Sequence, residues 1–180
     1  MRFRGSIAAI ACIGAASCAA PAPKPTPPPP VARPAPTPTP VASPVPIPAD
    51  GTWMDAPQTP GDWYYRAATG STAALFGDSG ADARFAVTCL KTERRITLAR
   101  AGTGTQTVPM RIRTETADRA LSANAQSGTL PSIIASLSPT DPLLDAIAFS
   151  KGRFAVEVPG QSALYLPTWP EITRVIEDCR

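Results

Sequence analysis

Residues 141–158, DPLLDAIAFSKGRFAVEV, combine the pattern of a short helix with that of a strand. Asp141 can accept a hydrogen bond at the start of a helix, and Pro142 suits the first helical position because the N–H there has no intrahelical partner. Gly152 can adopt a left-handed conformation that residues with a Cβ avoid. Apolar residues recur at helical spacing before this glycine and at strand spacing after it. They are Leu143, Leu144, Ile147 and Ala148, then Phe154, Val156 and Val158. The stretch therefore predicts a helix and a strand that share one hydrophobic core.

The flanking sequence predicts a mainly β fold. Residues 83–90 and 95–100 alternate apolar and polar side chains around a polar turn, which indicates a β-hairpin with one buried face. Residues 108–115 alternate in the same way, with Arg111 and Arg113 on the face that we expect to be solvated. Further strand candidates are residues 72–76, 120–125, 129–137 and 162–166. We expect a small antiparallel β-sandwich with minor α+β character and two short helices, the second at the C-terminus.

The second helix is predicted from residues 168–179. The sequence TWPE at residues 168–171 matches a capping box, in which the Thr168 hydroxyl bonds a main-chain N–H at the helix start and Glu171 reaches back. Apolar residues follow at helical spacing and end with Cys179. We therefore expect this helix to pack one face on the sheet.

Composition and charge exclude several classes of function. The chain carries 17 Lys and Arg against 14 Asp and Glu, but four of the basic residues precede residue 50, so the remainder is close to neutral. A nucleic-acid partner needs a concentrated basic surface, and we expect none. The chain has no histidine, which removes Ser-His-Asp and Cys-His catalysis and the imidazole ligands of metal sites. We assign no catalytic residue, metal or cofactor.

The N-terminal residues have the pattern of a bacterial secretion signal. Arg2 and Arg4 precede a short apolar run, and the run ends in Ala-Ala-Ser-Cys at residues 15–18, which is similar to a lipobox. We expect residues 1–17 to be a signal peptide and Cys18 to be acylated, which places the protein on the outer membrane facing the periplasm. An ordinary signal for soluble periplasmic secretion is the alternative.

A proline-rich segment follows the cysteine. Fourteen of the 23 prolines lie between residues 21 and 48. Proline cannot donate to a helix or sheet ladder and fixes φ, so residues 18–49 are predicted to be a tether in polyproline II conformation or disordered. A docking peptide for aromatic-lined grooves is the alternative. We expect residues 50–180 to form a single globular domain.

The cysteines and arginines supply the candidate sites. Cys89 and Cys179 both lie on predicted inward faces, so an oxidising compartment favours a disulfide between them, with two buried thiols as the alternative. Arg84, Arg111 and Arg113 are candidates for a partner surface that takes an acidic ligand. A solvated face with arginines paired to glutamates is the plainer explanation.

Aromatic residues cluster where the predicted domain begins. Trp53, Trp63, Tyr64 and Tyr65 lie between residues 51 and 66. Aromatic rings can bind a ligand by stacking, but at the start of a small β-domain we expect them in the core and over its end.

Several short motifs together resemble a group of envelope domains. They are GDWY at 61–64, FAVTC at 85–89, MRIR at 110–113, GRFAV at 152–156 and the final helix closed by Cys179. This pattern resembles the invasion-associated locus B proteins and the lipoprotein-like accessory proteins of type VI secretion. The resemblance implies a β-sandwich domain and supplies no catalytic residue.

We therefore expect a membrane-anchored, non-enzymatic binding or accessory module, with an envelope protein or the cell wall as its partner. The alternatives are a hydrolase that acts on peptidoglycan or another envelope polymer through carboxylates, and an inhibitor of a secreted hydrolase.

Overall fold

A computed structural model describes residues 53–104 and 106–180 of the chain. A short 3-10 turn at Trp53–Asp55 precedes nine strands and two helices. The strands are β1 (Asp62–Ala68), β2 (Ser71–Gly77), β3 (Phe85–Leu90), β4 (Arg95–Ala101), β5 (Thr107–Arg113), β6 (Asp118–Gln126), β7 (Ser132–Leu137), β8 (Arg153–Glu157) and β9 (Leu164–Pro167). The helices are α1 (Pro142–Ala148) and α2 (Pro170–Cys179). The mainly β class and the C-terminal helix are confirmed. The predicted signal peptide, the candidate acylation site Cys18 and the predicted tether lie outside the described residues.

The nine strands form one continuous antiparallel sheet that folds back on itself. Their order is β1-β2-β3-β4-β7-β6-β5-β8-β9. Four strands separate β3 from β8 in this order, yet Phe85 and Phe154 on these strands have ring centroids 6.1 Å apart. The two halves of the sheet therefore face each other across the hydrophobic core. The layers of the sandwich belong to a single sheet.

The stretch at residues 141–158 adopts the predicted helix and strand. Asp141 accepts a hydrogen bond from the Leu143 N–H at 2.9 Å, and Pro142 is the first helical residue. Gly152 has φ of +77°, in the left-handed region. Strand β8 is buried on both faces: Phe154 and Val156 lie in the main core, whereas Ala155 lies in a second apolar cluster on the outer face.

The start of α2 differs from the capping box expected at residues 168–171. The N-cap residue is Trp169 and makes no side-chain capping bond, while Pro170 is the first helical residue. The Thr168 hydroxyl lies one position too early to cap and donates instead to the Ser150 carbonyl at 2.8 Å. The predicted apolar face of the helix is confirmed and packs on the sheet: Ile172, Val175, Ile176 and Cys179.

The predicted disulfide is present. Cys89 in β3 and Cys179 in α2 are bonded, with their Cα atoms 5.5 Å apart. The bond fixes the C-terminal helix to the first half of the sheet. In residues 53–104 and 106–180, no helix has the length and apolar character needed to cross a membrane.

Candidate binding surface

The register of three strands brings two arginines and two acids together on the outer face of the sheet. On β5, Arg113 lies opposite Asp118 of β6, and Arg111 lies opposite Glu157 of β8. Residues two apart on a strand share a face, so Arg111 and Arg113 point to the same side. Sequence alternation placed both arginines on one face, but Glu157 comes from β8, a strand whose pairing with β5 the sequence does not indicate.

The four side chains form a closed ring of ion pairs. Arg111 donates from Nε and Nη2 to the two carboxylate oxygens of Asp118, each at 2.7 Å. Arg113 lies 3.3 Å from Asp118 through Nε and 3.4 Å from Glu157 through Nη1. Arg111 Nη1 closes the ring, 3.8 Å from Glu157. We call these four residues the ion-pair ring; its formal charge is zero.

Exposure divides the ion-pair ring into an outer and an inner half. The side chains of Arg111 and Asp118 are 40% and 43% exposed, whereas those of Arg113 and Glu157 are 8% and 10% exposed. The Trp53 ring lies over the Arg113 guanidinium, with the guanidinium carbon 5.9 Å from the ring centroid. The expectation that Arg113 is solvated is therefore wrong, because residues at the start of the domain cover it.

Hydrogen bonding to Arg111 is the main cause of a shift in the pKa of the Asp118 carboxyl. It lowers the pKa of the Asp118 carboxyl, and the charges of Arg111 and Arg113 act in the same direction, while partial burial opposes them. Asp118 is thereby held in its charged form, which suits an ion pair and not a proton donor.

Tyr165 is a further buried residue with a polar group on this face. It belongs to the second apolar cluster with Trp53, Ala56, Ala155 and Ala163. Its phenolic oxygen is buried and has no hydrogen-bond partner among the described residues. Burial, assisted by the charge of Glu157, raises the pKa of the Tyr165 phenol. Strand β9 carries apolar residues on both faces, so its sequence gives no sign that Tyr165 lies outside the main core.

A shallow pocket of about 250 Å³ lies beside the ion-pair ring. Its lining residues are Pro109, Arg111, Ala120, Glu157, Val158 and Pro159. Sites for small molecules usually enclose roughly 300–1,000 Å³ and bury most of the ligand. This pocket is smaller and open, and its size suits one apolar side chain of a protein partner.

Arg84 lies at a different part of the sheet from Arg111 and Arg113. It precedes β3, which β4, β7 and β6 separate from β5 in the strand order. Its Nη2 donates to Asp78 at 2.7 Å and its Nη1 donates to the Pro60 carbonyl at 3.3 Å. Of the three arginines predicted as a partner surface, the structure brings together the two on β5.

Neither metal ligation nor similarity to known proteins identifies a function. Within the part of the chain that the structure describes, no three or more His, Cys, Asp or Glu residues are grouped so as to hold a metal ion. Comparisons with protein-family models, with curated proteins and with solved structures find no match.

Proposed function

We propose that this protein is a lipoprotein of the bacterial envelope that acts as a non-enzymatic binding or accessory module. Acylation of Cys18 anchors it to the outer membrane, and residues 18–49 hold the β-domain away from the bilayer in the periplasm. The lipobox-like sequence at residues 15–18 and the proline-rich segment support this arrangement. The resemblance of its short motifs to invasion-associated locus B proteins and type VI secretion accessory lipoproteins supports a role of the same kind.

The pocket beside the ion-pair ring is the observation that carries the binding proposal. Pro109, Ala120 and Pro159 offer exposed apolar side chains beside the buried Val158, and the half-exposed Arg111 also lines the pocket. This combination matches the centre of a protein interface, where an apolar side chain fills a pocket next to an arginine. Because the ring is neutral overall, we propose a partner that inserts an apolar side chain flanked by polar groups, in place of a strongly acidic ligand.

Pairing of the acids weighs against a carboxylate-dependent hydrolase at this surface. Such enzymes need one carboxyl group with a raised pKa to donate a proton. Arg111 lowers the pKa of Asp118, and Glu157 is held between two arginines. An inhibitor of a secreted hydrolase would be a binding module of the proposed kind, and an inhibition assay would identify it.

The binding proposal is tested by site-specific crosslinking of the full chain in intact cells. A photoreactive amino acid replaces Ala120, which lines the pocket and is exposed; the control replaces Thr92, which is exposed in the turn between β3 and β4. We expect one dominant envelope-protein adduct from position 120 and none from position 92. Pro109→Trp, which fills the pocket, should abolish the adduct in the chain labelled at position 120. Equal adducts from both positions, or no protein adduct from position 120, would overturn the proposal.

The anchor is tested separately by the mass of the mature N-terminus. We expect an acylated Cys18, and we expect Cys18→Ser to move the protein from the membrane fraction to the soluble periplasmic fraction. A mature chain that begins at another, unmodified residue would exclude the lipoprotein assignment.

A further inference from the structure

The two edges of the sheet differ in how their main-chain groups are covered. Beside β9, the Thr59 N–H donates to the Tyr165 carbonyl at 2.9 Å, and the Tyr165 N–H donates to the Thr59 hydroxyl at 2.8 Å. The segment that precedes β1 therefore covers the β9 edge. Strand β1 pairs with β2 on one side, and no strand in residues 53–104 and 106–180 pairs with its other side.

The turn after β1 identifies the main-chain groups on this uncovered edge. Only Thr69 and Gly70 connect Ala68 to Ser71, and the residues that flank a two-residue hairpin loop form a hydrogen-bonded pair. Hydrogen-bonded and non-hydrogen-bonded pairs alternate along an antiparallel ladder. The main chain of residues 62, 64, 66 and 68 therefore bonds to β2, whereas the N–H and C=O groups of residues 63, 65 and 67 point away from β2, toward the open edge. The Tyr65 carbonyl agrees with this assignment, because it accepts a hydrogen bond from the Arg66 guanidinium at 3.2 Å.

On β1, an acidic side chain lies two residues before Tyr64 and a basic side chain lies two residues after it. Asp62, Tyr64 and Arg66 alternate with the buried Trp63 and therefore share the outer face of the strand. Arg66 lies over the Tyr64 ring at 5.9 Å, and neither Asp62 nor Arg66 forms an ion pair with another described residue. The edge therefore presents one acid and one base, symmetric about Tyr64.

A second copy of the same strand matches this arrangement. Antiparallel pairing about a two-fold axis at Tyr64 sets Asp62 of each copy opposite Arg66 of the other and Tyr64 opposite its own counterpart. The outward main-chain groups of Trp63 then meet those of Tyr65 in the other copy and form hydrogen-bonded pairs. Moving the axis to Trp63 or Tyr65 leaves both charges without an opposite charge across the strands. The registers centred on Trp63, Tyr64 and Tyr65 all place the outer faces of the two strands on the same side of the sheet. Of these three, only the register centred on Tyr64 combines opposite charges across the strands with main-chain hydrogen bonds.

We propose that β1 is a self-association edge through which two copies of this chain form a symmetric dimer with one continuous sheet. The occupant of the edge is the β1 strand of a second copy in the register centred on Tyr64. The dimer leaves the ion-pair ring and its pocket, on the other half of the sheet, available in each copy.

Sedimentation of the full chain with charge-exchange variants tests the proposal. Cys12→Ser and Cys18→Ser are included so that the Cys89–Cys179 disulfide contains the only cysteines. We expect the unmodified chain to form a dimer. Asp62→Arg or Arg66→Asp alone should weaken dimerisation about tenfold or more, because position 62 of each copy faces position 66 of the other and either substitution creates two pairs of like charges. The double variant Asp62→Arg with Arg66→Asp restores opposite charges and should recover the original dissociation constant. Glu93→Arg, the matched charge change in the β3–β4 turn, should have no effect.

Oxidative crosslinking provides a second measurement that does not depend on charge. Tyr64 lies opposite itself in a non-hydrogen-bonded pair, where Cα atoms are about 4.5 Å apart and a disulfide fits. We expect Tyr64→Cys to give a crosslinked dimer and Ala67→Cys to remain monomeric on a non-reducing gel. A monomer at every concentration, failure of the double charge exchange to restore association in folded protein, or crosslinking at position 67 in preference to position 64 would overturn the proposal. A monomer would instead direct attention to a strand of another protein.

Discussion

Trp63 in the first strand donates its indole N–H to the main-chain oxygen of Pro167 in the last strand, at 2.8 Å. These strands are the two edges of a single nine-stranded sheet, so the bond joins its ends across the fold. The same indole packs on Phe76 and Phe85, with ring centroids 5.2 and 6.4 Å away. Trp63 therefore contributes to the core and to closure of the sandwich at once.

Trp63→Phe should destabilise the domain beyond the loss of ring area. The substitution removes the indole N–H and leaves the buried Pro167 carbonyl without that donor, which costs about 1–3 kcal/mol of unfolding free energy. Urea denaturation followed by far-UV circular dichroism measures the difference. Trp169→Phe is the matched control, because Trp169 is 37% exposed, and it should change stability by about 0.5 kcal/mol or less. Equal losses in the two variants would contradict a role for the bond.

Loss of the disulfide should have a larger effect. Cys89 and Cys179 are 90 residues apart, and closing a loop of that length stabilises a fold by about 4–5 kcal/mol in the chain-entropy model. The double substitution Cys89→Ala with Cys179→Ala should lower the free energy of unfolding by about this amount. Reduction of the unmodified protein should give a similar loss. A loss below about 1 kcal/mol would show that the unfolded chain gains little freedom when the bond is absent.

Local sequence patterns predicted the helices and strands of this fold well, but they predicted the environments of its charged residues less well. The helix cap at Asp141 and the disulfide depend on residues whose spacing is visible in the sequence. Alternation along β5 correctly placed Arg113 on the outer face, but it could not indicate that Trp53, 60 residues earlier, covers that position. The order of the strands was equally hidden, because β4 pairs with β7 and β5 with β8, and no turn connects either pair. Glu157 reaches the candidate site through the long-range pairing of β5 with β8, so the sequence indicated the arginines without this buried partner.

The two arginines of the ion-pair ring should differ sharply in their contribution to stability. Arg113→Met leaves the buried Glu157 without its closest cation, a change that typically costs about 3–5 kcal/mol. Arg111→Met on the same strand removes the bond to the exposed Asp118, and such pairs contribute about 0–1 kcal/mol. Chemical denaturation of both variants gives the comparison, with Arg111→Met as the matched control. Equal losses would contradict the division of the ring into buried and exposed halves.

Asp141 should make stability depend on pH in the acid range. Its carboxylate accepts hydrogen bonds from Arg119 at 2.7 and 2.8 Å and from the Leu143 N–H at 2.9 Å. The bond from Arg119, assisted by that from Leu143, lowers the pKa of the Asp141 carboxyl, although partial burial acts in the opposite direction. A carboxyl whose pKa is lower in the folded protein stabilises it fully above the unfolded pKa of about 3.9, and this contribution is lost as the pH falls through the folded pKa.

Two substitutions at Asp141 separate its charge from its capping oxygen. Asp141→Asn keeps an oxygen that can cap helix α1 but carries no charge, so the fall in stability between neutral pH and about pH 3 should be smaller than in the unmodified protein. Asp141→Ala removes the cap as well and should cost about 1 kcal/mol more than Asp141→Asn at both pH values. Urea denaturation at the two pH values measures both effects. An unchanged pH dependence in Asp141→Asn would show that the Arg119 pair does not contribute to acid sensitivity, whereas equal stability of the two variants would show that the capping bond is not needed to start the helix.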